Sequence, residues 1–241
     1  MLGAVVAIAA GFLAYIGYFG GSVFTAVPAT ARASAAERGT VAVLLSGDMG
    51  FHLGMGPKVA ERLAADGIPV IGVNSLTYFR VRRSPAESAG LISQAIRRAL
   101  ARPDVRRVVL VGQSFGADMV NAGLPGVPEA LRRRILMVAL VVPGDTIDFR
   151  ASPAELFDLE PADAAALPSA LTLNWLPVLC IHGRVEEHSL CPLLNMPNVQ
   201  RVALPGGHYL NHDADRVYAA IKQAIDLAAQ ARDGTGSGRV S

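Results

Sequence analysis

A serine in this chain lies in a pattern that is typical of hydrolase nucleophiles. The segment Gly112–Gly116 reads G-x-S-x-G, follows an apolar, β-branched run and precedes a helix-compatible segment. A strand, a tight turn and a helix in this order form a nucleophile elbow, which projects the serine hydroxyl above the end of a sheet. Ser114 is therefore the predicted nucleophile, and the amide of Phe115 is expected to point at a developing oxyanion. The alternative is a tight turn that carries a solvated serine.

A base for Ser114 is expected late in the chain, because hydrolases of this kind place the acid and then the histidine after the nucleophile. His208 lies in LPGGHYLNHD, between a strand-like run and the last helix, and is the predicted base. His212 competes with it, although its position favours a capping or solvent-facing role. The remaining histidines are expected to shape the pocket: His52, His182 and His188. A zinc pair formed by His208 and His212 lacks a third ligand, so we expect no metal and no cofactor.

The acid that orients His208 should follow the strand-like run Leu176–Gly183. Glu186 stands three residues beyond this run and is the predicted acid, with Glu187 as the alternative. Two cysteines flank it, Cys180 at the end of the run and Cys191 at the end of the loop. In an oxidising compartment they could form a disulfide that fixes the acid loop, and two buried thiols are the alternative.

A second oxyanion donor should come from the loop after an early strand. The buried-strand run Val41–Leu45 leads into a glycine-rich loop, in which the amide of Asp48 or Met49 is the expected donor. A glycine-rich turn with Ser46 or Asp48 as a helix cap is compatible with the same residues.

Composition and patterning favour one α/β domain. The chain has 241 residues, a hydrophobic content of 51% and a net charge of +2, which gives no indication of a nucleic-acid surface. Ser84, Pro85 and Glu87 form a capping box at the start of a predicted helix. Strand-like runs alternate with helical segments, near 41–45, 68–73, 107–111, 135–142, 176–181 and 199–204. This alternation predicts a mostly parallel sheet flanked by helices, with a small cap or none.

The N-terminal segment is apolar enough to associate with a membrane. No charged side chain occurs from Leu2 to Ala31, and about 20 apolar residues cross a bilayer as a helix. We expect an apolar helix that is an uncleaved anchor or a cleaved signal segment, with a buried soluble helix as the third alternative. Either of the first two exports the domain. The predicted organisation is an anchor or signal at 1–28, a linker at 29–39, the α/β domain at 40–232 and a flexible tail at 233–241.

Acidic residues gather in segments expected near the pocket. Between Gly144 and Trp175 the chain carries six of them, with Arg150 as the one basic residue; they are Asp145, Asp148, Glu155, Asp158, Glu160 and Asp163. Such a patch would attract a substrate ammonium, and Asp48 and Asp118 are the candidate substrate-binding residues. The alternatives are a solvated acidic face and, for Asp118, a helix N-terminal position.

Five blocks of this sequence resemble the signature blocks of the bacterial virulence-protein family AcvB/VirJ. They are LLSGDMGF, GVNSLTYFRVRRSPAE, VGQSFGADMVN, VLCIHGRVEEHSLCP and LPGGHYLNHD. The resemblance implies an α/β-hydrolase fold, export to the periplasm and, in AcvB-like members, hydrolysis of aminoacylated phosphatidylglycerol, notably the lysyl form. VirJ-like members are associated with type IV secretion. By position, Ser114 matches the nucleophile, His208 the base, and Cys180 and Cys191 a cysteine pair in the acid loop.

The chain departs from the family pattern at three places. Met49 stands where the family usually has glycine, Asn74 where it more often has aspartate, and His188-Ser189 where it often has an aspartate–serine pair. The expected function is an exported serine hydrolase that cleaves an aminoacyl ester through an acyl-enzyme. The alternatives are a periplasmic adaptor that binds secretion-system proteins and a general carboxylesterase or thioesterase.

Overall fold

The computed structural model describes residues 2–151 and 161–236, and a seven-stranded sheet lies at the centre of the molecule. The strands are β1 (Phe24–Val27), β2 (Thr40–Leu45), β3 (Val70–Val73), β4 (Arg107–Gln113), β5 (Ile135–Val141), β6 (Thr146–Ile147), β7 (Ala164–Ala165), β8 (Val178–Gly183) and β9 (Val199–Leu204). The helices are α1 (Leu2–Ile16), α2 (Met55–Ala65), α3 (Ser75–Phe79), α4 (Pro85–Leu100), α5 (Phe115–Gly123), α6 (Glu129–Arg132), α7 (Leu167–Ala170) and α8 (Ala214–Gly236). Short 3₁₀ helices lie at Leu124–Gly126, Cys191–Leu193 and Leu210–His212.

The seven-stranded sheet has the order β1-β3-β2-β4-β5-β8-β9. It is parallel except at β1, which pairs antiparallel with β3. Its central strands are continuous apolar runs with both faces buried, which is typical of parallel sheets covered by helices. Ile92 of α4 and Val120 of α5 are buried in the core on one face, and Leu63 of α2 and Ile221 of α8 in the core on the other. The predicted α/β architecture is confirmed, and all six predicted strand regions contain strands.

Helix signals in the sequence correspond to observed caps. α4 begins at Pro85, and the Ser84 hydroxyl accepts the Glu87 amide while the Glu87 carboxylate accepts the Ser84 amide, so the predicted capping box is confirmed. α8 continues to Gly236, beyond the predicted start of a flexible tail at 233; residues 237–241 of that tail lie outside the described part of the chain.

The N-terminal segment differs from the single apolar helix expected over residues 1–28. α1 ends at Ile16, because Gly17 adopts a φ of 93° and turns the chain back toward the sheet. Phe24–Val27 then joins the sheet as an edge strand, which the sequence analysis did not predict. Among the described residues, no helix has both the length and the apolarity needed to cross a membrane.

The segment expected as a linker at 29–39 makes specific contacts with the domain. The Thr30 amide donates to the carbonyl of Ala64, and the buried Glu37 carboxylate pairs with Lys222 of α8 at 2.8 Å. Burial raises the pKa of Glu37, but hydrogen bonds from Lys222 and Ser34 outweigh it and the pKa falls below its ordinary value. This segment is therefore attached to the surface formed by α2 and α8.

Candidate active site

Ser114 occupies a strained turn between β4 and α5. Its φ of 51° is rare for a residue with a side chain, and such strain is a property of nucleophile elbows. Two glycines make the turn possible. A Cβ at Gly116 would lie 2.4 Å from the carbonyl oxygens of Leu45 and Ser46, and one at Gly112 would lie 2.5 Å from the backbone of α5. Close approaches of the backbone therefore require glycine at both positions, as the G-x-S-x-G pattern predicts.

The structure brings Ser114, His208 and Glu186 into one hydrogen-bonded chain. Ser114 Oγ lies 2.8 Å from His208 Nε2, and His208 Nδ1 lies 2.7 Å from Glu186 Oε1. An ionised carboxylate can only accept a hydrogen bond, so Nδ1 carries the proton and Nε2 is left to accept the serine proton. The Glu186 side chain is 5% exposed and that of His208 is 43% exposed. This arrangement can deprotonate Ser114 and stabilise the imidazolium that results.

The acid loop and the histidine loop are held against each other by backbone contacts. Glu186 Oε2 accepts the amide of Gly183 at 3.0 Å, which fixes the second carboxylate oxygen. A Cβ at Gly183 would lie 2.3 Å from the carbonyl oxygen of Gly207, so only glycine allows the two loops this close. Cys180 and Cys191 form a disulfide across the acid loop, with their Cα atoms 5.5 Å apart.

The glycine-rich loop after β2 borders the nucleophile. A Cβ at Gly47 would lie 3.6 Å from Ser114 Cβ, so the backbone of this loop passes close to the nucleophile just before Asp48. Phe115 supplies the first amide of α5, and the first amides of a helix lack an acceptor within their own helix. The Ser46 hydroxyl accepts the amide of Ser75 and ties this loop to the start of α3. The N-cap of α2 is Gly54, so neither Ser46 nor Asp48 caps that helix.

A comparison with known protein families matches most of the chain. The model of the bacterial virulence protein (VirJ) family matches residues 39–229. The chain belongs to this family. The matched range begins one residue before β2, so it contains Ser114, Glu186 and His208 and every strand of the main sheet except β1.

Solved structures with the same fold are α/β-hydrolases. Est1E from Butyrivibrio proteoclasticus is 14% identical, with a TM-score of 0.62 over 86% of this chain and 94% of that one. MenH from S. aureus is 12% identical, with a TM-score of 0.59 over 86% and 99% of the two chains. A thermophilic esterase from Thermogutta terrifontis is 18% identical, with a TM-score of 0.55 over 86% and 93%. A search of the curated proteins finds no match. The family member described here therefore has the α/β-hydrolase fold.

Two carboxylates lie close to the triad. Burial raises the pKa of Asp48, and hydrogen bonding from its own amide and that of Met49, together with the nearby His208, opposes this rise. Asp118 lies one helical turn beyond Ser114, and its Oδ1 accepts the Gly144 amide at 2.9 Å. Burial, reinforced by the negative charges of Asp148, Glu186 and Asp145, raises the pKa of Asp118 well above its ordinary value.

The other predicted residues lie outside the hydrogen-bonded chain. Glu187 is exposed, so the geometry selects Glu186 of the two acids. His212 is exposed and its ring contacts Tyr209. Each of the three remaining histidines contacts a residue outside the triad: His52 contacts Tyr15, His182 the carbonyl of Gly183, and His188 Asp145.

The predicted acidic patch is only partly available to a ligand. Asp163 accepts the amide of Phe149 and pairs with Arg82, so its charge is used within the protein. Glu155, Asp158 and Glu160 lie outside the described residues. Asp148 accepts the amide of Asp163, and Asp145 contacts His188. Asp48 interacts electrostatically with His208, and Asp118 interacts with Glu186.

Asn74 has a structural role that the sequence analysis did not predict. Its Oδ1 accepts the amide of Thr77 and caps α3, while its Nδ2 donates to the carbonyl of Ile16 at the end of α1. An aspartate could cap α3 but could not donate to Ile16. An asparagine directly after a strand is a helix-cap signal, and this signal could have identified the first of the two contacts.

Proposed function

We propose that this protein is an exported serine esterase that hydrolyses the aminoacyl ester of phosphatidylglycerol, with the lysyl form as the preferred substrate. The observation that carries the proposal is the hydrogen-bonded chain of Ser114, His208 and Glu186 beside two carboxylates. Ser114 attacks the ester carbonyl, His208 accepts its proton and returns it to the glycerol oxygen, and lysyl-serine is the acyl-enzyme. Water activated by His208 then releases the amino acid.

The amides of Phe115 and Asp48 hold the oxyanion in this proposal, with that of Met49 as the alternative donor. The Asp48 carboxylate draws hydrogen bonds from its own amide and from that of Met49, so it competes with the oxyanion for these donors. In an aminoacyl ester the α-ammonium is one carbon away from the reacting carbonyl. An ion pair between this ammonium and Asp48 would free the amide for the oxyanion.

Asp118 is proposed to bind the second ammonium of a lysyl group. It lies among Asp145, Asp148 and Glu186, and this concentration of negative charge favours a cation. A carboxylate whose pKa is raised by burial and like charges is stabilised by such a partner, because the positive charge favours the ionised form.

Export and membrane association are part of the proposal. The disulfide supports an oxidising compartment. α1 presents large apolar side chains to solvent, and a lipid surface would cover them; they are Val5, Val6, Ile8, Phe12 and Tyr15. Its C-terminal end contacts Asn74, which directly follows β3, so a bilayer that holds α1 would lie beside the catalytic end of the sheet.

Two assays test the proposal. Wild type should react with a fluorophosphonate probe and Ser114→Ala should not. Wild type should also release lysine from lysyl-phosphatidylglycerol vesicles, while Ser114→Ala releases none. In Asp48→Asn, kcat/KM for the lysyl ester should fall more than kcat/KM for a neutral p-nitrophenyl ester.

The outcomes separate the proposal from its alternatives. Labelling with turnover of the neutral ester alone would point to a general carboxylesterase or thioesterase. Failure of both assays with folded protein would point to an adaptor for secretion-system proteins, in which the triad is not used.

A further inference from the structure

The C-terminal end of α1 packs against the loop that carries the proposed oxyanion donors, Ser46–Gly50, which we call the oxyanion loop. Gly50 has a φ of 77°, and a Cβ there would lie 2.5 Å from the carbonyl oxygen of Ile16. Ile16 itself is fully buried. Tyr15 and His52 extend this contact, with their ring centroids 5.3 Å apart. An apolar helix outside the range matched by the family model therefore borders a loop of the candidate active site.

Asn74 contacts α1 and the oxyanion loop at the same point. Its Nδ2 donates to the Ile16 carbonyl at 3.1 Å, and a Cβ at Gly50 would lie 3.0 Å from its Oδ1. The backbone amide of Asn74 donates to the carbonyl of Val23 at 2.8 Å, just before β1 begins. Asn74 is only 3% exposed, so a bond to water does not readily replace a bond that is lost here. This residue therefore connects the oxyanion loop to both parts of the N-terminal segment.

The oxyanion loop is attached to the junction of β3 and α3 at both of its ends. At its start, the Ser46 amide donates to the carbonyl of Val73 at 3.0 Å, and the Ser46 hydroxyl accepts the Ser75 amide at 3.0 Å. At its end, Gly50 packs on the Asn74 side chain. The proposed oxyanion amides lie between these two attachments, so a change at either end is transmitted to them.

We propose that Asn74 is a positioning residue for the oxyanion loop and that it acts by holding the end of α1 against this loop. The catalytic role of the loop rests on the proposed esterase function, whereas the connection to α1 does not. An aspartate could still cap α3, but it would set a carboxylate oxygen against the Ile16 carbonyl in a buried site, and two acceptors form no hydrogen bond. The helix that the proposed function places in a lipid surface is thus connected to the reacting centre through one side chain.

Two variants release the end of α1 in different ways. Asn74→Asp removes the donor to Ile16 and keeps the oxygen that accepts the Thr77 amide, so α3 retains its cap. Thr77→Val removes a second bond to this helix end, in which the Thr77 hydroxyl donates to the carbonyl of Gly17 at 3.1 Å. Valine has nearly the shape of threonine and adds no charge. Agreement between the two variants therefore separates the release of α1 from the effect of a new carboxylate.

Asn198→Asp is the matched control. The Asn198 Nδ2 donates to the carbonyls of Leu173 and Leu176 at 2.7 Å each, just before β9 and at the end of the sheet opposite to the triad. The same chemical change is thus made far from the site. Hydrogen exchange of backbone amides, followed by mass spectrometry, reports on α1 and the oxyanion loop without any turnover. Fluorophosphonate labelling of Ser114, with kcat and KM for a p-nitrophenyl ester, reports on the reaction.

Asn74→Asp should accelerate exchange at the end of α1 and in the oxyanion loop by about tenfold or more, because the bond that holds them together is lost. Labelling and kcat should fall by about tenfold or more while KM stays within about twofold, because an oxyanion donor acts in the transition state. Thr77→Val should change exchange and kcat in the same directions by smaller factors. Asn198→Asp should leave both within about twofold of wild type.

The proposal is overturned if α1 exchanges faster in Asn74→Asp and the oxyanion loop does not. It is also overturned if the loop exchanges faster while labelling and kcat are unchanged, or if Asn198→Asp has the same effects. Failure of the proposed esterase function would differ, because wild type itself would then neither label nor hydrolyse the ester. In that case the exchange rates alone support or overturn the connection between α1 and the loop.

Discussion

Glu186→Gln tests the assignment of the acid, because the structure dictates how a glutamine would sit. Glu186 Oε2 accepts the Gly183 amide and Oε1 accepts His208 Nδ1–H. The Gly183 amide can only donate, so the glutamine oxygen must face it and the NH₂ group must face His208. Nδ1 then has to accept, which moves the imidazole proton to Nε2. In this tautomer Nε2 cannot accept the proton of Ser114.

The expected loss of activity is large, because the substitution disfavours the His208 tautomer that proton transfer requires. It does more than weaken one contact. The corresponding change in a serine protease triad lowers kcat about 10⁴-fold, and we expect a fall of about 10³–10⁴-fold in ester hydrolysis. The assay is kcat/KM for a p-nitrophenyl ester together with the rate of fluorophosphonate labelling. Glu187→Gln, at the exposed neighbouring position, is the matched control and should remain within about twofold of wild type.

The reasoning would be refuted by Glu186→Gln activity within tenfold of wild type in protein that is folded by circular dichroism. A large loss in Glu187→Gln with none in Glu186→Gln would instead transfer the role to Glu187.

Three further changes follow from the structure. Asp118→Asn keeps an oxygen to accept the Gly144 amide and removes a carboxyl whose pKa is raised in the fold. The folded state of wild type holds the Asp118 proton more tightly than the unfolded state does. The free energy of unfolding of wild type should therefore fall relative to that of the variant as pH rises from the pKa of Asp118 in the unfolded chain to its higher pKa in the fold. Melting curves from pH 4 to 8 should show the two proteins diverging, and a pH-independent difference would contradict this. Replacement of Cys180 and Cys191 by alanine should lower the free energy of unfolding by about 2–3 kcal/mol and abolish the effect of reductant on denaturant curves; an unchanged midpoint would argue against the disulfide. Gly116→Ala should displace the backbone of Leu45 and Ser46 and lower kcat, whereas Gly90→Ala, with open space around it, should be neutral or stabilising by up to about 1 kcal/mol; equal kinetics in the two would contradict the close approach.

The sheet and the triad could be anticipated because local sequence determines both. Apolar β-branched runs specify buried parallel strands, and the elbow glycines specify backbone approaches that no other residue allows. The choice between Glu186 and Glu187 could not be made from the sequence with certainty, since both follow β8 within the same loop. It depends on which carboxylate faces both Gly183 and His208, and this is a property of the folded loop.

Hydropathy alone could not divide the N-terminal segment into the helix α1 and the strand β1. Leu2–Val27 is almost wholly apolar and carries no charge, so neither the end of the helix nor the edge strand β1 stands out in such a run. Tertiary contacts determine where α1 ends and β1 begins. A Cβ at Gly17 would collide with Thr77 Oγ1, and the Asn74 amide donates to the carbonyl of Val23 as β1 approaches the sheet. Both partners lie more than 50 positions further along the chain, so no local pattern could reveal them.

The charges around Ser114 bear on the proposed preference for an aminoacyl ester, and this preference can be tested. In the proposed mechanism, an oxyanion held by the Asp48 amide would lie near the Asp48 carboxylate, because this carboxylate interacts with the same amide. The two negative charges would repel each other, and this repulsion would oppose the stabilisation that the oxyanion donor supplies. A neutral ester would therefore gain little from this donor. A substrate that brings an ammonium next to its carbonyl converts the same repulsion into an attraction, and it does so more strongly in the transition state than in the ground state because the oxyanion develops there. The rate ratio between an aminoacyl ester and its N-acetylated analogue should accordingly be large in wild type and collapse in Asp48→Asn.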